Sequence, residues 1–311
     1  MKNTFILLFF FLLGFSVKAQ NIPISDSLIN KIIVLKFEDY AENLDEHEKL
    51  TQQLSKEIIS HTSQKKDSVF GALVVLYDNF DADEDNELII FMGYVWESEI
   101  FAFDKIDNQW FLIYREDITL GNSLDLEYGI SPMKDTPLIR VKHRAGSGTG
   151  MYIDAYFFYR FTKNGLKKVL EVAGRHEVSS GSMLYLNFNL NNKFYTHSSG
   201  GIDAIIQSEF YLPYYDKEAK EEKYIVLFKR DITISFEWNK EKEEYQPIFP
   251  KENNLSKEQQ EFLLLQKENQ NLFYQLFKSE IEETRKKLSK EDIKILDEWI
   301  KYVEESSASK K

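Results

Sequence analysis

The chain has 311 residues, with 51 acidic against 39 basic side chains and no cysteine. A formal charge of −12 repels phosphate backbones and anionic lipid, so nucleic acid and charged membrane surfaces are poor partners. Without cysteine there is no disulfide, thiol nucleophile or lipid-attachment thiol, and at this length a core can be stable without such staples.

The chain opens with MKNTFILLFFFLLGFSVKA: a lysine at Lys2, an apolar run from Phe5 through Leu13 to Phe15, and Val17, Lys18 and Ala19 before the expected cleavage point. This three-part pattern predicts a signal peptide over 1–19, cleaved to leave Gln20 as the mature N-terminus. The apolar run falls short of the ~18–20 residues that span a bilayer. Losing Lys2 and Lys18 leaves 37 basic residues against 51 acidic, a net −14. With no second run of about 18 apolar residues, the expectation is a soluble protein, secreted or periplasmic, with no transmembrane segment after cleavage.

A helical segment is expected over 26–62. Ile29, Ile33, Phe37, Tyr40, Leu44, His47, Leu54 and Ile58 recur mostly at three- and four-residue spacing, behind Asp26 as an N-cap. EHEKL begins like a zinc helix, but the second histidine of HExxH would fall on Thr51, which leaves His47 as a residue of the apolar stripe.

From 68 to 250 the pattern is that of strands. VFGALVVLY is a continuous apolar run suited to a strand buried on both faces. EIFAFDKIDNQWFLIY reads as two strands joined at Asp107–Asn108. MYIDAYFFYRF alternates, and Asn164–Gly165 turns it back into a strand over Leu166–Val172. MLYLNFNLNNKFYTH suggests a further hairpin around Asn191–Asn192, and KYIVLFKRDITISFEW with EYQPIF closes the zone. The fold class expected is α+β: a mainly antiparallel β body, whether meander, partial barrel or propeller-like, flanked by the N-terminal helix and a C-terminal helical hairpin.

That hairpin is placed at 255–305. Ser256 with Gln259 and Ser289 with Asp292 form capping boxes at the starts of its two helices. Phe262, Leu265, Leu272, Phe273, Leu276, Phe277 and Ile281 line the first helix; Ile293, Leu296, Trp299, Ile300 and Val303 line the second. Residues 306–311 read as a disordered polar tail.

The familiar catalytic motifs fail in turn. RAGSGTGMY has three glycines, but Met151 stands where a phosphate-binding loop carries lysine, and Ser147 lacks the flanking glycines of a nucleophile elbow. It reads as an entry into the following strand. The five histidines share no metal-ligand spacing.

The stretch YDNFDADEDNELIIFMG, residues 77–93, is different. It sets carboxylates at alternate positions between two apolar runs. From Asn79, the segment NFDADEDNELII resembles the D-F-N-G-D-G-x-x-D-L-V-V loop of FG-GAP and related secreted calcium-loop proteins. The resemblance covers about twelve residues, in one copy, with Ala82 and Glu84 at the two glycine positions. It implies Asn79, Asp81, Asp83 and Glu87 as side-chain ligands, and the carbonyl of Asp85 as a backbone ligand, for one Ca²⁺. A hard cation wants six to eight oxygens, which suits that alternation. The competing reading is a solvated acidic turn between two strands. The functional expectation is a secreted non-enzymatic binding or structural module of the cell envelope or exterior, calcium-stabilised if the loop is a ligand, with a protein or carbohydrate partner. The alternative is a secreted hydrolase acting on glycans.

Overall fold

A computed structural model describes residues 17–34, scattered positions between 46 and 57, and 73–93, 98–118, 127–131, 137–162, 165–178, 185–216, 220–265 and 269–308, apart from Ala82, Thr149 and Ser198. His47, Asn164 and most of the signal segment lie outside the described residues, as does much of the stripe beyond Val34. The chain divides into two compact units: 1–125 with 161–167, and 126–160 with 168–311. The β body expected over 68–250 thus contributes strands to two antiparallel sheets.

The first unit holds a five-stranded sheet in the order β1-β5-β4-β3-β2, built from β1 (Val17–Pro23), β2 (Leu73–Asp78), β3 (Glu87–Gly93), β4 (Ser98–Ile106) and β5 (Gln109–Ile118). Strands β2 to β5 form a meander, and β1 joins at the far side of β5. Asp107 and Asn108 turn β4 into β5 with φ of 53° and 64°, left-handed values that Asp and Asn tolerate better than most side chains. Helix α1 (Asp26–Val34) packs Leu28, Ile29 and Ile32 into one core with Leu88, Ile90, Phe101, Phe103, Trp110 and Leu112. Asp26 is not the cap expected of it. The Ser25 carbonyl accepts from the Leu28 and Ile29 amides, while Asp26 sits inside the first turn and Oδ1 accepts from the Trp110 amide at 3.4 Å. Leu88 to Phe91 are all buried, so β3 is covered on both faces.

The second unit carries an eight-stranded sheet whose neighbours are consecutive in sequence throughout. Its strands are β6 (Glu127–Ser131), β7 (Leu138–Gly148), β8 (Met151–Thr162), β9 (Gly165–Val178), β10 (Asn187–Thr196), β11 (Ile202–Asp216), β12 (Glu221–Asn239) and β13 (Glu244–Ile248). Of the three arrangements foreseen, the meander describes this sheet throughout and the first sheet over β2 to β5. The glycine stretch is part of a hairpin: Gly146 and Gly148 pair with Ile153 and Met151, and Gly150 turns at φ 79°. The turn expected at Asn191–Asn192 does not form. Both residues continue β10, paired to Gln207 and Ile206, and buried Asn192 donates Nδ2 to the Ala173 carbonyl at 2.6 Å. That tertiary bond favours strand over turn.

Three helices follow: α2 (Lys257–Leu265), α3 (Gln270–Arg285) and α4 (Lys290–Ala308). The expected first helix is broken in two, since Asn269 Oδ1 caps α3 by accepting from the Leu272 amide at 3.0 Å. Helix α4 runs to Ala308, into the stretch read as tail. The first capping box forms in full: the Ser256 amide donates to Gln259 Oε1 at 2.8 Å while the Gln259 amide donates to Ser256 Oγ. At the second the Asp292 amide donates to Ser289 Oγ at 3.1 Å, and Ser289 Oγ donates to Asp292 Oδ2 at 2.8 Å in place of the return bond from the amide. The helices dock on the sheet through aromatics, with Phe210 stacked on Phe273 at 4.4 Å and Phe228 tilted against Phe277 at 4.6 Å.

Candidate metal centre

The acidic loop joins β2 to β3, two strands paired from Leu73↔Met92 to Asp78↔Glu87. The carboxylates of Asp81 and Asp83 each meet a nearby amide. Asp81 Oδ1 accepts from the Asp83 amide at 3.1 Å, and Asp83 Oδ1 accepts from the Asp85 amide at 2.8 Å. Such local bonds are what short acidic side chains make in turns. Asn79 donates Nδ2 to the Asp83 carbonyl at 2.5 Å, bracing the loop across its mouth. Glu84 is absent from the left-handed positions found among the described residues, so the chain passes it without needing a glycine.

The loop curls over Glu87. Its Oε2 accepts from the amides of Phe80 at 2.5 Å and Asp81 at 3.2 Å. Its Oε1 is buried and has no hydrogen-bond partner, and the residue as a whole is 0 % exposed. Carboxylate oxygens of Asp81, Asp83 and Glu87 lie within 4.8 Å of one another. Burial, above all, pushes Glu87 up to about 7, and the charges of Asp81 and Asp104 push the same way against the pull of the two amides. Asp81 is raised too, first by burial and then by the charge of Asp83.

Of the five residues proposed from the sequence, Asp81, Asp83 and Glu87 therefore converge. Asn79 stands beside them as a brace, and Asp85 is exposed at the outer rim with its amide turned to Asp83. Sequence reasoning missed Asp104 on β4. The β3–β4 ladder ends at the Leu88↔Phe103 pair, and Glu87 and Asp104 are the residues next to that pair on the two strands. Its Oδ1 is also buried without a partner, and its carboxyl is raised first by burial and then by the charges of Asp81, Asp83 and Asp85. Asp104 is the polar exception in the apolar alternation of EIFAFDKI, a signal visible only once the register between β3 and β4 is known.

Buried carboxylates turned on one another without a proton donor or a cation are costly. The donor set is all oxygen, with no nitrogen or sulfur ligand, which suits Ca²⁺ or Mg²⁺ and not a softer metal. No family model matches the chain, and no curated protein or solved structure matches it either. Among the described residues, no helix is long and apolar enough to cross a membrane.

Proposed function

We propose that this protein is an exported, non-enzymatic β module whose first sheet is stabilised by one hard divalent cation, Ca²⁺, in the loop between β2 and β3. Asp81, Asp83 and Glu87 supply carboxylate oxygens, and the Asp85 carbonyl completes the turn. The observation that carries this reading is Glu87: the residue is fully buried, its Oε1 has no hydrogen-bond partner, and its carboxylate lies in a cluster with those of Asp81 and Asp83. A cation at that point converts repulsion among the three carboxylates into attraction and holds β2 and β3 in register. The same raised carboxyl could suggest an acid for glycan cleavage. A general acid must touch the glycosidic oxygen, however, and Glu87 at 0 % exposure cannot.

The test is thermal unfolding with calcium and with chelator, in wild type and in Asp83→Asn. Extracellular sites can be as weak as about 1 mM, so calcium must reach several millimolar. Binding to the folded state alone adds about 2.7 kcal/mol when free cation is a hundred times Kd. Calcium should raise the melting temperature of wild type and raise that of Asp83→Asn much less. Equal melting temperatures in all four samples, with no heat on calorimetric titration, would leave an acidic turn. Export rests on the charged start, the apolar run and Ala19.

A further inference from the structure

We infer that the cation of the β2–β3 loop keeps an open side, and that adjacent hydroxyls of a neutral glycan bind it there in place of water. The inference rests on the cation reading above and names the partner chemistry of that same site. The first observation is a count of oxygens. Asp81, Asp83 and Glu87 are the carboxylates close enough to share one ion, and each offers it one oxygen. Glu87 Oε2 already accepts from the Phe80 and Asp81 amides, which leaves its unpartnered Oε1 to give. The Asp83 carbonyl is engaged by the Asn79 side chain. With the Asp85 carbonyl the protein supplies about four oxygens where Ca²⁺ takes about six to eight, so about two to four positions fall to water.

The second observation is the gradient of burial across the cluster. Glu87 is buried, Asp81 is half-buried and Asp83 is exposed, as are Glu84 and Asp85 beside it. The ion therefore has a protein floor and a solvent-facing side, where bound water can be exchanged. Charge selects what replaces it. Asp78, Asp83, Glu84 and Asp85 are all exposed at this one turn, and the chain carries a net −12, so a carboxylate or phosphate is repelled on approach. Neutral oxygen donors meet no such barrier. Two hydroxyls on adjacent carbons reach one cation together, so a single ordered molecule does the work of two waters. No covalent bond is made or broken; the step is ligand exchange at the ion.

The experiment reads the ion's own water. Tb³⁺ stands in for Ca²⁺ in the whole protein, and its luminescence lifetime in H₂O against D₂O counts the waters bound to it. Dextran and galactan, neutral polysaccharides whose adjacent hydroxyls are oriented differently, are the probes. The same polysaccharides cleaved at those diols by periodate and reduced with borohydride, and acetate as a carboxylate, are the comparisons. Wild type should hold at least about two waters on the ion, one of the intact polysaccharides should remove about two, and no comparison should remove any. In calcium, wild type should be retained on that polysaccharide when it is immobilised and released by chelator, whereas Asp83→Asn should pass through. If wild type binds Tb³⁺ with fewer than about two waters, the shell is closed, and the open side is overturned while the loop site stands. If the waters are there and neither polysaccharide removes them, or acetate alone does, the glycan assignment is overturned and the loop site again stands. If wild type binds neither Tb³⁺ nor Ca²⁺, the loop site itself fails, and the glycan with it.

Discussion

At Glu87 a loop resemblance and a burial fact meet, and only the first could be read from the residues. Its place at the end of the alternating carboxylates is written in the segment NFDADEDNELII, but its complete burial depends on Phe80 and Asp81 folding back over it. A pH dependence follows for the metal-free protein. The carboxyl moves from an ordinary 4.5 to about 7 on folding, facing Asp81 and Asp104 with Asp78 opposite on β2. The folded state then holds a proton that the unfolded chain has released. This contribution to stability is fully present below about pH 4.5 and is lost as pH rises through about 7. In chelator, the melting temperature of wild type should therefore fall between pH 5 and pH 8 by more than that of Glu87→Gln, and saturating calcium should flatten the difference. Melts across that range, with and without calcium, check it. A second residue-scale expectation concerns Gly174 on β9. A Cβ there would lie 2.5 Å from the ring of Tyr156, itself held by Phe194 at 4.7 Å and by the Arg140 guanidinium at 5.8 Å. With the ring unable to retreat, Gly174→Ala should cost about 1–3 kcal/mol, read from denaturant unfolding.

Whole elements were legible where their signals are local. The Asp107–Asn108 turn, the Ser256–Gln259 capping box and the Ser289 cap need only neighbouring residues, and all three form as the sequence suggests. Legibility stopped where a distant partner decides. Asn191–Asn192 has the composition of a turn, yet the Ala173 carbonyl, on the adjoining strand, keeps Asn192 in β10. The break between α2 and α3 likewise hides inside one continuous apolar stripe, with Asn269 as its quiet marker. Gln270 shows what the break achieves. Its Oε1 accepts from both the Leu186 amide at 2.8 Å and Trp299 Nε1 at 3.1 Å, joining the start of α3 to the entry of β10 and to α4. Gln270→Ala strands two donors, and each costs about 1–3 kcal/mol when left unpaired in the interior, so a lowered midpoint in urea with an unchanged slope is expected. Removing α2 to α4 altogether, by ending the chain after Pro250, would uncover Phe210, Leu212 and Phe228. Each large apolar side chain is worth about 1.5–3 kcal/mol when buried, so a large fall in melting temperature should result.

For the molecule as a whole, the fold class could be read from alternation and turn spacing, but its division into two units could not. Strands of one unit look like strands of the other, and the assignment of 161–167 to the first unit depends on tertiary contacts. The beginning of the mature chain is also a whole-molecule matter. Strand β1 starts at Val17, ahead of the expected cleavage point, and pairs Val17 and Lys18 with Arg115 and Tyr114 as well as Ile22 and Pro23 with Leu112 and Phe111. Cleavage after Ala19 would keep the second half of that ladder. The intact mass of protein recovered from the native host should match a chain beginning at Gln20, and a mass that includes Met1 to Ala19 would overturn the export reading. The order of the strands has a temporal side as well. In a sheet where every strand pairs with its predecessor, contacts are short in sequence, loop closure is cheap, and assembly can proceed as the chain emerges. Strand β1 breaks that rule, because its partner β5 is made only after β2, β3 and β4. The N-terminal strand is therefore the latecomer of its sheet, a seam that closes after the rest has formed.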